Sequence, residues 1–294
     1  MTVALYGHTV NKEHIGSIKL ILDQFLHFNV EIMIYGTFFD FLQSELGYKP
    51  NVKSIFNSPT EVKDQAKLML SIGGDGTFLE SVSYVEDSGI PVAGINFGRL
   101  GFLAHITSSN MVAAIEQLAK GDYTVEKRSA LQLIIDNNLF GKFPFALNDL
   151  TIQKGGTTMI TINAYIDGEF LCTYWADGII VSTPTGSTAY SLSVGGPIVS
   201  PKSNTFVISP ISPHNLTVRP LVIPDNSNLT FEVDTRENDI LLSLDSRSVK
   251  TSSNSSIMIK KAPFYVGIVN LKETSYFKTL RNKMMWGIDS RNPN

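Results

Sequence analysis

The hydrophobic pattern of this chain changes character once, near residue 124, and that change limits the folds open to it. Before it, strand-length apolar runs alternate with segments of helical period. VALYG, EIMIYG, LMLSI and PVAGINF read as short buried strands. Between them, EHIGSIKLILDQFLHF sets Ile15, Ile18, Leu22 and Phe25 at helical spacing, and TFLESVSYVED can form a further helix. SSNMVAAIEQLAKG is another, with Ser108 or Ser109 as N-cap and Gly121 just past its end. Strands alternating with helices predict a parallel sheet covered on both faces. After residue 124 the period becomes two. TMITINAYIDGEFLCTYWADG alternates around Asp167-Gly168, a hairpin turn pair, and LTFEVD, DILLSLDS, SSIMIK and FYVGIV read as further short strands. This half predicts an antiparallel all-β domain. In the tail, YFKTLRNKMMW spaces Phe277, Leu280, Met284 and Met285 as a helix that packs back on the first domain. The expected division is an α/β domain over 1–124, an all-β domain over 125–272, and a returning helix within 273–294.

Bulk properties exclude several classes. Twenty-four basic and 27 acidic residues give a net charge of -3, with no Lys/Arg block, so neither a nucleic-acid groove nor a polybasic membrane patch is expected. The single cysteine, Cys172, has no partner for an internal disulfide and suits a reducing compartment. No apolar stretch approaches the roughly 18 residues of a membrane span, and the start lacks a secretory pattern. The expectation is a soluble, cytoplasmic protein. No H-E-x-x-H or Cys/His cluster suggests zinc.

The loop Gly73-Gly74-Asp75-Gly76-Thr77 follows an apolar strand and opens a helix. Glycines let the backbone approach a ligand, and free N–H groups at a helix start attract anions. The loop is neither a Walker A sequence nor a dinucleotide fingerprint. Asp75 would repel a phosphate held alone. It is useful if a hydroxyl sits beside the phosphate, because a carboxylate can hold that hydroxyl and take its proton as a phosphoryl group transfers. It can also hold Mg²⁺. The plain alternative is a turn, since Asp and Gly are common turn residues.

Four other stretches accompany the loop: GINFGRLGFLA, ALNDLTI, DGIIVSTPTGSTAYSLSVGGPIV and PHNLTVRPLVIP. In order and spacing, together with GGDGT, they resemble the NAD kinases, from about residue 65 to the end. The glycine loop alone is shared with 6-phosphofructokinases and with diacylglycerol or sphingoid-base kinases. The segment around Thr185 to Tyr190 is more particular to NAD kinases.

The resemblance implies a Rossmann-like α/β domain followed by a β-sandwich-like domain. It implies Mg²⁺-dependent transfer of the terminal phosphate of ATP to the 2′-hydroxyl of the adenosine ribose of NAD, giving NADP. Asp75 is the implied catalytic residue. Gly74, Asp75, Gly76, Phe102, Asn148, Asp149, Asp177, Thr188, Ala189, Tyr190, Ser191, Leu192 and Ser193 are the implied NAD contacts. No side chain is assigned to the metal. In the family, Asn148 and its neighbour hold the adenosine part, usually as Asn-Glu; here the second member is Asp149, one methylene shorter. Read alone, Asn148-Asp149 is equally an Asx turn before a strand, and the serine-rich loop a turn into a short helix. Some family contacts come from a neighbouring subunit, and a homodimer or homotetramer is implied. Phe102 and Leu103 can floor a pocket or belong to the core. His214 and Arg219 match the pattern and read as structural, the arginine as a paired group in an apolar strand region.

Two positions depart from the family. Asp245-Ser246-Arg247 stands where Asp-Gly-Gln is usual, and Trp175 where a basic residue is frequent. The alternatives left open are a lipid or sugar kinase sharing the glycine loop, and a non-catalytic NAD(P) sensor.

Overall fold

The computed structural model describes residues 1–98, 101–136, 138–237, 239–253, 256–272 and 274–287. Arg99 and Leu100 of GINFGRLGFLA, Ser255 of SSIMIK, and Glu273 and 288–294 of the expected tail segment lie outside the described residues. The chain divides into two compact units, Met1–Lys127 with Val266–Asn294, and Arg128–Tyr265.

In the first unit, β1 (Thr2–Gly7) leads to α1 (Ile15–His27), β2 (Glu31–Tyr35), α2 (Gly36–Ser44) and β3 (Ser54–Phe56). Then come α3 (Pro59–Lys63), β4 (Leu68–Ile72), α4 (Asp75–Val85), β5 (Val92–Ile95) and α5 (Met111–Lys120). The strands form a parallel sheet in the order β5-β4-β1-β2-β3. Every residue of β1, β4 and β5 is buried, as expected of strands covered on both faces. Ile18, Ile21, Leu22 and Phe25 of α1 pack on one side. The chain runs outward from β1 to β3 and then returns to the other side of β1 with β4. The order therefore reverses between β1 and β4, and the crevice beyond their carboxyl ends is where such sheets receive ligands. Asp75 begins the helix that leaves β4.

The sequence reading needs local correction here. Helix α5 starts behind Asn110, not behind Ser108 or Ser109. Asn110 Oδ1 accepts the Thr107 N–H at 2.8 Å, closing a turn that absorbs both serines. Gly121 ends the helix in the left-handed region, at φ 71°. Helix α3 passed unread although Ser58 and Glu61 form a capping box, the Glu61 carboxylate accepting the Ser58 N–H at 2.9 Å.

Strand β6 (Thr124–Ile134) begins in the first unit and enters the second at Arg128, and the second continues through β7 (Phe145–Ala146), β8 (Asp149–Lys154), β9 (Ile160–Ile166), β10 (Glu169–Ala176) and β11 (Gly178–Ser182). The short α6 (Tyr190–Ser193) precedes β12 (Thr205–Ile211), β13 (Leu221–Pro224), β14 (Leu229–Asp234), β15 (Asp239–Leu244), β16 (Arg247–Ser252) and β17 (Ile257–Asn270). One antiparallel sheet runs β13-β12-β11-β8-β15-β16, and β10, β9, β14 and β17 pair antiparallel in another. Ile152, Val181 and Leu242 of the first share a core with Ile162, Phe231 and Ile259 of the second. Asp167 and Gly168 both carry positive φ, 51° and 85°, as the hairpin between β9 and β10 requires. SSIMIK and FYVGIV, expected as two strands, are parts of one: β17 runs 14 residues without a break.

Helix α7 (Tyr276–Met284) forms as expected and packs back on the first unit. Its apolar seam differs from the expected one. Leu280 is buried, whereas Phe277 and Met285 stay more than half exposed and Met284 is also exposed. The helix ends at Met284, with Met285 left-handed beyond it.

Candidate functional site

In the first unit, Gly74 caps α4, and Asp75 and Gly76 form its first turn. The Asp75 carboxylate reaches across to the loop after β5. Its Oδ1 accepts the Leu103 and Ala104 N–H groups at 3.0 and 3.1 Å, and its Oδ2 accepts the Phe102 N–H at 2.9 Å. A carboxylate offers about four acceptor positions, so three are filled and one, on Oδ2, stays open among the described residues. Gly101 makes this approach possible: a Cβ there would stand 2.0 Å from Asp75 Oδ1. The sequence reading expected a carboxylate free to grip a ligand. The structure shows one that organises a loop and keeps part of its capacity in reserve.

Phe102 is half-buried, while Leu103 and Ala104 belong to the core. Asn96 Oδ1 accepts the Gly98 N–H at 2.9 Å, forming an Asx turn at the carboxyl edge of β5. Lys283 of α7, which the sequence reading did not single out, lies on the same spot. Its Nζ is 3.7 Å from Asp75 Oδ2 and 4.6 Å from the centroid of the Phe102 ring. A lysine on a tail helix carries no motif, and only the fold brings it to the loop.

In the second unit, Asn148 and Asp149 sit where β8 begins, both buried. The turn after β11 is laid against them. Thr183 N–H donates to Asn148 O at 2.9 Å, and Thr183 Oγ1 donates to Leu147 O at 2.6 Å. Gly186 lets that turn close in, since a Cβ would stand 2.1 Å from Asn148 O. Asp245, between β15 and β16, accepts the N–H groups of Leu147, Asn148 and Asp149 at 2.8, 2.8 and 3.2 Å, which fixes the entry to β8. Burial pushes the Asp245 carboxyl up, and those three N–H bonds and Arg247 oppose the shift.

This corner holds polar atoms without partners. Asn148 Oδ1 and Ser182 Oγ are buried and make no hydrogen bond among the described residues, and Ser182 pairs in register with Asp149. The Asp149 side chain accepts no hydrogen bond among the described residues. Burial, and then the Asp245 charge, push its carboxyl up to about 7. Buried polar atoms are normally satisfied, so such a cluster suits a ligand that brings its own donors and acceptors.

Thr188, Ala189 and the α6 residues Tyr190, Ser191, Leu192 and Ser193 follow that turn. Ser191 is buried with its Oγ 3.1 Å from Ser209 Oγ, Thr188, Ala189 and Leu192 are half-buried, and Tyr190 and Ser193 are exposed. The Tyr190 hydroxyl accepts from Gln153 Nε2 at 3.2 Å, near the far end of β8. Asp177 is placed apart. Ser182 faces Asp149 in the β11–β8 register and Gly178 faces Gln153, so Asp177 lies beyond the opposite end of that strand pair, paired with Lys154 at 2.6 Å. At about 3.3 Å per residue, six residues of strand put it on the order of 20 Å from Asn148.

Arg247 resolves one departure from the family pattern. Its guanidinium donates to Phe143 O and Phe145 O at 2.7 and 2.5 Å and lies over the Phe143 ring, 5.2 Å from its centroid. It therefore anchors the segment that leads into Asn148. Arg219 is exposed and donates to the Leu216 and Val218 carbonyls at 2.8 Å. It is not enclosed in an apolar strand, because β13 starts only at Leu221. His214 is exposed, and its N–H donates to Trp175 O at 2.8 Å. Trp175 is also exposed and lines a cavity of about 630 Å³ with Thr158, Met159, Asp234 and Arg236.

Comparison with known proteins finds family matches in both parts of the chain. A family model for the ATP-NAD kinase N-terminal domain matches residues 19–123, and one for the ATP-NAD kinase C-terminal domain matches residues 147–271. The NAD kinase of Cytophaga hutchinsonii is 44% identical over 293 residues, covering 99% of this chain and all of that protein. Two solved structures share the fold. Yeast NADH kinase complexed with NADH superposes with a TM-score of 0.85 at 22% identity, over 100% of this chain and 90% of that one. An NAD kinase from Archaeoglobus fulgidus in complex with ATP gives 0.76 at 24% identity, over 97% and 99%. Two family models in chain order and a full-length relative carry the assignment: the chain belongs to the NAD kinase family.

Proposed function

We propose that this chain transfers the terminal phosphate of ATP to the 2′-hydroxyl of the adenosine ribose of NAD, forming NADP and ADP. The observation that carries the reading is Asp75, a carboxylate at the switch-point edge of the parallel sheet, with a loop folded around it and one acceptor position open. Asp75 Oδ2 accepts the hydroxyl proton as a hydrogen bond and so aims the oxygen at the incoming phosphorus. The oxygen attacks, the bond from the terminal phosphorus to its bridging oxygen breaks, and its electron pair leaves with ADP. The hydroxyl proton passes to Oδ2 late, as the new P–O bond forms, because an alcohol is far too weak an acid to lose it earlier. Most of the acceleration comes from positioning and charge neutralisation.

Gly74 and Gly76 leave room for the sugar beside Asp75, and Phe102 borders it. Asn148 reads the adenine edge through its amide, and Asp149 accepts from ribose hydroxyls; the partnerless Oδ1 of Asn148 and the unbonded Asp149 carboxylate support these roles. Thr188 to Ser193 lie along the dinucleotide, with Tyr190 as a ring that can stack on it. The separation of Asp177 from Asn148 supports a homodimer or homotetramer in which Asp177 serves a neighbouring subunit's ligand. Mg²⁺ neutralises phosphate charge when it is bound. Among the described residues there is no cluster of three His, Cys, Asp or Glu. No helix of the described residues is long and apolar enough to cross a membrane, and we place the activity in the cytoplasm.

The test is ATP-dependent NADP formation, run with and without Mg²⁺, with diacylglycerol and fructose 6-phosphate as competing acceptors. NAD is expected to be the acceptor used. In Asp75→Asn, NAD still binds while turnover falls by about 100-fold or more. Tight NADP binding with no NADP formed from ATP would favour a sensor instead.

A further inference from the structure

Lys283 is the cation that the fold delivers to Asp75, and its pairing is unlike that of the other lysines. Lys53, Lys63, Lys120, Lys154 and Lys261 each sit 2.5 to 2.7 Å from a carboxylate oxygen. Lys283 stays 3.7 Å from Asp75 Oδ2, beyond hydrogen-bond length, and makes no hydrogen bond among the described residues. What locates it is the Phe102 ring, whose face attracts an ammonium at 4.6 Å. The side chains of Lys283 and Asp75 are 34% and 30% exposed, so both are partly open to solvent. The rest of α7 holds the lysine there: Thr279 and Leu280 are buried, and the Tyr276 and Phe102 rings lie 6.5 Å apart.

The open position on Asp75 Oδ2 is the one the ribose hydroxyl needs, and in the free protein an ammonium faces it loosely. The terminal phosphate of a triphosphate carries more charge than this carboxylate, whose own charge is already shared with three amide N–H groups. We propose that Lys283 is a catalytic residue that leaves Asp75 when the donor arrives and binds a non-bridging oxygen of its terminal phosphate. The inference rests on the kinase reading given above. One movement then does two things. It neutralises charge on the group being transferred, the contribution expected of a cation at a phosphoryl-transfer site. It also frees Oδ2 for the hydroxyl, so that acceptor and donor are engaged together. An ammonium is a point charge without base recognition, so the ligand class that Lys283 selects is a phosphate chain, in a nucleoside triphosphate or an inorganic polyphosphate.

Lys283→Met and Lys283→Arg test this in the full-length chain, with NAD affinity, kcat, and KM for ATP measured separately. Lys283→Met is expected to keep NAD affinity within twofold, to lower kcat by about 100-fold, and to raise KM for ATP by about tenfold. Lys283→Arg keeps the charge and recovers at least a tenth of the wild-type rate. A Lys283→Met enzyme whose kcat and ATP KM both stay within twofold of wild type overturns the proposal. So does a loss of NAD affinity that matches the loss in kcat/KM for ATP, because that marks a structural role. Wild-type protein that forms no NADP from ATP removes the kinase reading itself, and this inference with it.

Discussion

The two carboxylates proposed to hold NAD hydroxyls differ in how the fold treats them. Asp75 is partly exposed, holds three backbone N–H groups and faces an ammonium. Asp149 is buried, its carboxylate accepts no hydrogen bond among the described residues, and it lies near a second carboxylate, Asp245. The first is organised before any ligand arrives. The second is left unsatisfied until one does. The contrast matches a division of labour: a group that must act on a reacting atom is held in place, while a group that recognises a polar ligand gains most if it is poorly solvated beforehand.

The sharpest way to break this contrast is to disorganise the first site. Gly101→Ala drives a methyl into Asp75 Oδ1, which two hydrogen bonds hold in place. Turnover is expected to fall by about 100-fold or more, with a loss of about 1–3 kcal/mol in denaturant stability. Unchanged turnover would mean that the preorganised geometry is not needed.

Asp149→Asn probes the other side. The folded carboxyl is raised to about 7, above its ordinary value of 3.8. Below the lower value both folded and unfolded states are protonated and stability is unaffected. Between the two the unfolded chain has shed its proton and the folded one has not, so stability is lost as pH rises through the window and stays lost above it. The variant should abolish that loss and be more stable than wild type at pH 8 by on the order of 2–4 kcal/mol, while binding NAD more weakly. Thermal melts at pH 4 and pH 8 read the difference; parallel pH profiles for the two proteins would contradict it.

Smaller effects are expected at the supports. Arg247→Gln loses the bonds to Phe143 O and Phe145 O, and a destabilisation of about 1–3 kcal/mol should appear as a lower urea midpoint. Gln153→Ala removes one exposed hydrogen bond to the Tyr190 hydroxyl, so KM for NAD should change by less than about threefold.

Much of this arrangement was legible in the sequence because local pattern and tertiary environment agree. Continuous apolar runs became the buried parallel strands, and Asp167-Gly168 supplied the positive φ values of its hairpin. Asp75 stood out because a negative charge in a phosphate-type loop asks for a reason. The misses have physical causes. SSIMIK and FYVGIV were split because Lys260, Lys261 and Pro263 interrupt the apolar alternation, although the strand runs through them. The capping box at Ser58 and Glu61 was a signal present and unused. Lys283, and the role of Arg247 as distinct from its departure from the family pattern, could not be found from pattern at all. Each acts on a segment more than 100 residues away in sequence, and only tertiary contact brings them there. The unsatisfied state of Asp149 likewise depends on burial and on Asp245, which no local window contains.

The most direct test of the division of labour is an NAD titration and a turnover assay on Asp75→Asn and Asp149→Asn side by side. The account predicts crossed losses: Asp75→Asn keeps NAD affinity and loses turnover, and Asp149→Asn loses affinity by a larger factor than turnover. Normal turnover in Asp75→Asn, or unchanged NAD affinity in Asp149→Asn, would contradict it.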